Sequence, residues 1–247
     1  VAEKGGFAHY MLKEIIEQPD AMRQSLSGRS DPATGTVHFE SELGALEQVR
    51  TVVLVGCGTS HYAASYAASV YEANGIAAEA VIASEFRERP RWDPSDTLMI
   101  AVTQSGETAD TLTAMRAAEG QGYPTMAVTN TVGSSITRLA DHSVFIRAGP
   151  EIGVAATKTF STQVATLLLF GVALGEARGS LSRTARRRQL EAIDGLPGQL
   201  QAMLDARAVI DEIAAMAASA SNHVFIGRAL GLPVAQEGAL KLKEISY

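Results

Sequence analysis

Three stretches of this sequence hold residues whose types and spacing could do chemistry. The first is Gly56-Cys57-Gly58-Thr59-Ser60. A glycine-rich turn lets the backbone approach a ligand, and the start of a following helix offers free N–H groups to an anion. The adjacent hydroxyls of Thr59 and Ser60 are neutral donors suited to a phosphate monoester. The turn lacks the spacing of a dinucleotide fingerprint and the Lys-Ser/Thr of a nucleotide P-loop. The second stretch, Thr103-Gln104-Ser105-Gly106-Glu107-Thr108, repeats the recipe. For either stretch alone, helix capping explains the residues as well as ligand binding does, with Ser105 as the cap and Thr108 in the first turn. The third is Glu237, Lys241 and Glu244, whose spacing puts all three on one helical face. Its plain reading is a surface ion-pair ladder. Leu240 shares that face, and partial burial would raise carboxylate pKa values and suit them to proton transfer.

The elements that must position these residues follow from the apolar pattern. Runs rich in β-branched residues at Thr51–Val55, Ala78–Ile82, Thr97–Val102, Thr125–Thr129 and Ser143–Ile146 read as strands, and His61–Asn74, Glu107–Glu119 and Ser134–Leu139 as helices between them. Runs apolar on both faces suit strands covered on both sides. The alternation predicts an α/β fold with a doubly wound, five-stranded parallel sheet, for which 2-1-3-4-5 is a common order. The first two stretches would then leave the carboxyl ends of neighbouring strands and face one crevice.

Around this unit, residues 7–26 read as helix broken at Pro19, 28–38 as a loop, and 157–176, 184–194, 197–204 and 206–220 as helices. The apolar run Val164–Leu174 is too short to span a bilayer and reads as a buried helix. His223–Ile226 followed by a helix from Pro233 echoes the strand-turn-helix at Thr51, as if a repeat were opening. The expected organisation is a helical segment and loop over 1–50, a first subdomain over 51–220, and the start of a truncated second one over 221–247.

Composition narrows the classes. The 247 residues carry 21 basic and 27 acidic side chains, a net charge of −6, with 46% hydrophobic residues. That balance is globular, and it disfavours general binding to nucleic acid or anionic membrane. Arg183, Arg186, Arg187 and Arg188 read as a solvated helix face, since no aromatic residue interleaves them. A single cysteine, Cys57, excludes an intrachain disulfide and a four-cysteine zinc site. His9, His38, His61, His142 and His223 show no metal-ligand spacing, and only His61 lies beside a candidate turn. No metal site is expected, and the opening residues are not a signal peptide. The expected location is the cytoplasm.

Taken in order, GCGTS, SEFR (84–87), QSGETADT (104–111), EIGVAATKTFSTQ (151–163) and EGALKLKEISY (237–247) resemble the sugar isomerase, or SIS, family. The resemblance runs along essentially the whole chain. It implies the branch that converts fructose 6-phosphate to glucosamine 6-phosphate with ammonia from glutamine, without a cofactor. It implies that Thr59, Ser60, Thr103, Gln104, Ser105 and Thr108 hold the phosphate, Thr103 standing where that branch usually has serine. Val154 and Ala156 match a sugar-contacting loop, and Ala156 replaces a serine there, which leaves backbone contacts. Glu244 matches the carboxylate that moves a proton between C1 and C2, with Lys241 and Glu237 as polar neighbours. The family's Schiff-base lysine and ring-opening histidine fall beyond Tyr247, so the chain as given is expected to be incomplete and inactive. The implied partners are a glutaminase domain in the parent protein and a second copy in a homodimer. The alternatives are a stand-alone amino-sugar-phosphate deaminase or ketose–aldose isomerase, and a non-catalytic phosphosugar-binding module.

Overall fold

The computed structural model describes residues 3–40, 43–89 and 92–246. Among them, β1 (Thr51–Gly56), β2 (Ala77–Ile82), β3 (Thr97–Val102), β4 (Thr125–Thr129) and β5 (His142–Phe145) form one parallel sheet in the order β2-β1-β3-β4-β5. This is the 2-1-3-4-5 order. The reason lies in the runs themselves. Val52 to Gly56 and all of β3 and β4 are buried, so these strands take the centre; β2 is partly exposed and takes an edge.

Alternation along the strands builds a core on each face. Val52, Leu54, Ile100 and Val102 pack against α3 (Thr59–Ala73) and α6 (Lys158–Ala177) through Ala64, Ala67, Tyr71, Leu167 and Phe170. Val53, Val55, Met99 and Ala101 pack on the other face against α4 (Ala109–Glu119) and α5 (Ser135–Leu139). α3 and α6 meet closely because Gly171 has no side chain. A Cβ there would stand 2.5 Å from the Tyr71 ring, whose hydroxyl donates to Leu167 O at 2.6 Å. Burial pushes the Tyr71 phenol well above its ordinary pKa. At 20 residues α6 is long and apolar enough to cross a membrane by composition, but Leu167, Leu169, Phe170 and Leu174 are sealed in the core.

The N-terminal segment forms α1 (Tyr10–Ile16) and α2 (Gln18–Leu26), with Pro19 in the first turn of α2. Ala21, Met22 and Leu26 of α2 are buried, and Met22 and Leu26 pack on α6 through Ala165, Leu169 and Val172.

Three expectations need correction. Residues 28–38 are not only loop, because Ser30–Asp31 and Thr36–Val37 pair as a short antiparallel hairpin. The arginine cluster is not a uniformly solvated face. Arg183, Arg187 and Arg188 on α7 (Arg183–Asp194) are exposed, as the solvated reading expects, but Arg183, Arg186 and Arg187 also donate to the carbonyls of Thr34, Gly35 and Pro32. Arg186 also pairs with Glu176 at 3.0 Å. The cluster clasps the hairpin because a tight turn leaves carbonyls that guanidinium groups can satisfy. Finally, His223–Ile226 is not a strand. A parallel strand needs a neighbouring ladder, and here Val224 and Ile226 are 86% and 88% exposed.

Beyond α7, helices α8 (Leu196–Asp205) and α9 (Arg207–Ala217) lead to α10 (Gly231–Ser246), which packs on α3. Val209, Ile210, Ile213 and Met216 of α9 are exposed.

Candidate functional site

The first two motifs leave adjacent strands, as the topology requires. β1 pairs with β3 in register up to Val55–Ala101, so the GCGTS and TQSGET turns emerge side by side at the carboxyl edge. Gly56 is a glycine because a Cβ there would lie 2.9 Å from Val102 O. Gly58, at φ 52°, is the residue before α3 and has no side chain to cap it. Gly106, at φ 69°, has Ser134 Oγ only 2.2 Å from where its Cβ would be, so the second turn is wedged onto the start of α5.

The capping alternative fails for the second turn. Ser105 Oγ accepts from Glu107 N–H at 3.2 Å, ahead of the helix. α4 begins at Ala109, and its boundary residue Thr108 makes no side-chain cap bond. Two helices, α3 and α4, therefore start at neighbouring strand ends without a side-chain cap, and their first-turn N–H groups carry the positive end of the helix dipole. Ser105 and Thr108 stand just ahead of α4, and Ser60 is a buried residue in the first turn of α3.

Thr103, the Gln104 backbone and Ser60 also make internal contacts. Thr103 is buried and its hydroxyl accepts from Gly106 N–H at 3.3 Å. Gln104 O accepts from Asn130 N–H at 3.1 Å, which ties the turn to the end of β4. Ser60 Oγ accepts from Gln163 Nε2 of α6 at 3.0 Å, so its own proton is free to point elsewhere. Sequence reasoning passed over Gln163, and the signal was its place in the EIGVAATKTFSTQ motif.

The third motif does not stand apart from the first. Lys241 Nζ donates to Thr59 Oγ1 at 2.7 Å, and Thr59 Oγ1 donates to Glu237 Oε1 at 3.0 Å. Lys241 also pairs with Glu237 at 3.3 Å and Glu244 at 2.6 Å. The ladder reading captures the pairs but not their setting. Glu237 is 5% exposed, while Glu244 is open to solvent. Burial raises the Glu237 carboxyl above its ordinary range, although Lys241 and Thr59 pull it back. Its Oε2 is buried without a partner among the described residues. Leu240, on the same face, lies 3.7 Å from where a Cβ on Gly58 would be. His61, the one histidine beside the turn, is held below its ordinary pKa by burial.

Val154 and Ala156 lie on the loop between β5 and α6. Val154 is 91% exposed. Glu151 fastens the loop to α6 by accepting from Thr157 N–H at 2.9 Å and Thr159 N–H at 3.2 Å, as a carboxylate at a helix start should. Among the described residues no cluster of three His, Cys, Asp or Glu side chains could hold a metal.

The fold and this pair of turns define a class. The SIS domain profile matches residues 45–173, and the chain belongs to the SIS domain family. Its curated relatives include glutamine–fructose-6-phosphate aminotransferase [isomerizing] of Halobacterium salinarum, 49% identical over 249 residues, covering 100% of this chain and 41% of the relative. The enzyme of that name from Methanosarcina mazei is 44% identical, covering 100% and 40%. The chain thus spans about 40% of these relatives' length. Among solved structures, the C-terminal domain of glucosamine-fructose-6-phosphate aminotransferase from Francisella tularensis superposes with a TM-score of 0.93 at 35% identity, over 100% of this chain and 70% of that one. Glucosamine-6-phosphate deaminase from Thermotoga maritima, at 22% identity and TM-score 0.70 over 94% of this chain and 66% of that one, shares the fold.

Proposed function

We infer that the chain is the sugar-phosphate part of a glutamine–fructose-6-phosphate aminotransferase. The observation that carries this is the pair of uncapped helix starts at the ends of β1 and β3, with Ser60 in the first turn of α3 and Ser105 and Thr108 just ahead of α4. A phosphate dianion there meets first-turn N–H groups and neutral hydroxyls. Gln104 belongs to the same turn. Thr59 links the crevice to α10, and Thr103 shapes the turn that carries Ser105. The identity to aminotransferases supports this reading over the deaminase or the non-catalytic module.

The chemistry divides naturally. Turning a 2-ketose into a 2-amino aldose requires an open ring, nitrogen delivered to C2, and a proton moved from C1 to C2. Glu244, exposed and paired with Lys241 beside the crevice, is the proton carrier, with Glu237 and Lys241 fixing its helix. Binding energy from the remote phosphate holds the reacting carbons in place. Val154 and the backbone at Ala156 contact the sugar. The proposed organisation is a helical entry over 1–50, a first SIS subdomain over 51–220 and the opening of a second over 221–247. We place it in a cytoplasmic homodimer whose glutaminase domain supplies ammonia. The test is the parent protein with fructose 6-phosphate, with and without glutamine. Glucosamine 6-phosphate formed only with glutamine supports the reading. Sugar isomerisation or deamination without any glutamine-dependent amination contradicts it.

A further inference from the structure

The loop that carries Val154 and Ala156 is fastened at two points, and one of them lies far away in the chain. Glu14 of α1 is 2% exposed. Its carboxylate accepts from Ile152 N–H at 2.5 Å and from Gly153 N–H at 3.1 Å. Three residues on, Glu17 pairs with Lys158, which is 4% exposed at the start of α6, at 2.7 Å. Gly153 answers to the same contact. A Cβ at that position would lie 2.5 Å from Glu14 Oε2 and 3.5 Å from the Met11 backbone. The loop is thus suspended between Glu14 on one side and Glu151 on the other, with Val154 held outward between them.

We propose that Glu14 is a positioning residue for the sugar-contacting loop, acting through the Ile152 and Gly153 amides on Val154 and Ala156. The proposal rests on the functional reading given above. An ionised carboxylate is an acceptor only and serves two N–H groups at once. Oε1 accepts from both amides, and Oε2 accepts from Gly153 a second time at 3.1 Å. Glu14→Gln can therefore keep its one oxygen at Oε1 and both bonds, whereas Glu14→Ala removes every bond to the loop. The loop then loses one anchor while the phosphate turns, which Glu14 does not touch, keep their geometry. Gly153→Ala reaches the same end by displacing the carboxylate.

The test uses the full-length protein with two readouts. Hydrogen exchange at the Ile152 and Gly153 amides reports the latch itself. Affinity for fructose 6-phosphate, set beside affinity for inorganic phosphate, reports its effect on the sugar. In Glu14→Ala and in Gly153→Ala, both amides should exchange faster. Fructose 6-phosphate affinity should fall about tenfold, the order expected for one lost hydrogen bond to a charged group, and inorganic phosphate affinity should hold. A general loss of structure would weaken both ligands together, and that result overturns the positioning role. So does faster exchange with unchanged sugar affinity. Unchanged protection of the two amides overturns the latch whatever the ligand proves to be. Failure of the wild-type protein to bind fructose 6-phosphate counts against the functional reading, and the exchange data then decide the latch alone.

Discussion

Replacing Lys241 with methionine should loosen α10 from α3 in a manner that grows with pH. Lys241 contacts Thr59, Glu237 and Glu244. Without it, the buried Glu237 carboxylate retains only the Thr59 hydroxyl, and its Oε2 already lacks a partner among the described residues. Breaking a fully buried pair costs about 3–5 kcal/mol. Here Lys241 is 16% exposed at the side chain, and Glu237 can take up a proton instead of remaining charged, so ~1–3 kcal/mol is expected near neutral pH. The sign follows from linkage. Burial raises the folded pKa of Glu237 above its ordinary 4.5. Stability from such a group is fully present below that ordinary value and is lost as pH rises through the raised one. Removing Lys241 takes away a cation that opposes the rise, so the window widens upward. Hydrogen exchange of the α10 amides, followed from pH 4 to pH 8 in the wild type and in Lys241→Met, measures this. The two should converge at the acid end and diverge toward neutrality. Equal protection throughout, or a gap that widens toward acid, refutes the argument.

Two further outcomes follow from the site. Glu244→Gln in the parent protein should lower turnover roughly 10²–10⁴-fold, the range for general acid–base groups, while substrate affinity changes little; C1–C2 hydrogen exchange at the wild-type rate would remove Glu244 from the role. Gly106→Ala should cost ~1–3 kcal/mol by overpacking and by strain, because φ is 69° and Ser134 Oγ occupies the space of the new Cβ; an unchanged melting temperature contradicts that account.

Much of this organisation is written in the order of residue types. The two buried faces of TVVLVG and TLMIAV mark central parallel strands, and their order places both hydroxyl-rich turns on one edge. What the residues around the second turn do not reveal is where α4 begins. Gly106-Glu107-Thr108 reads as a helix start, yet the helix opens at Ala109 because Gly106 takes positive φ and Glu107 turns away to accept from Ser135 N–H. Burial within the third motif is equally hidden. Spacing puts Glu237 and Glu244 on one face, and only the docking of α10 on α3 decides that Glu237 is sealed and Glu244 open. Glu14 and Gln163 escape notice for a related reason, since their partners lie more than a hundred residues away. Val224 and Ile226 show the opposite failure. Their apolar, β-branched pattern is that of a strand, but pattern alone cannot supply the neighbouring strand that a ladder requires.

The central claim is that the GCGTS and TQSGET turns form one phosphate crevice, and calorimetric titration of fructose 6-phosphate tests it most directly. Comparing the wild type with the Ser60→Ala, Ser105→Ala double variant isolates the hydroxyls at the two helix starts. The account predicts a loss of about 3–6 kcal/mol in binding, at ~1.5–3 for each hydrogen bond to a charged group, with circular dichroism close to wild type and a lowered melting temperature, because Ser60→Ala leaves the buried Gln163 Nε2 without its acceptor. Unchanged affinity in a folded double variant would contradict it.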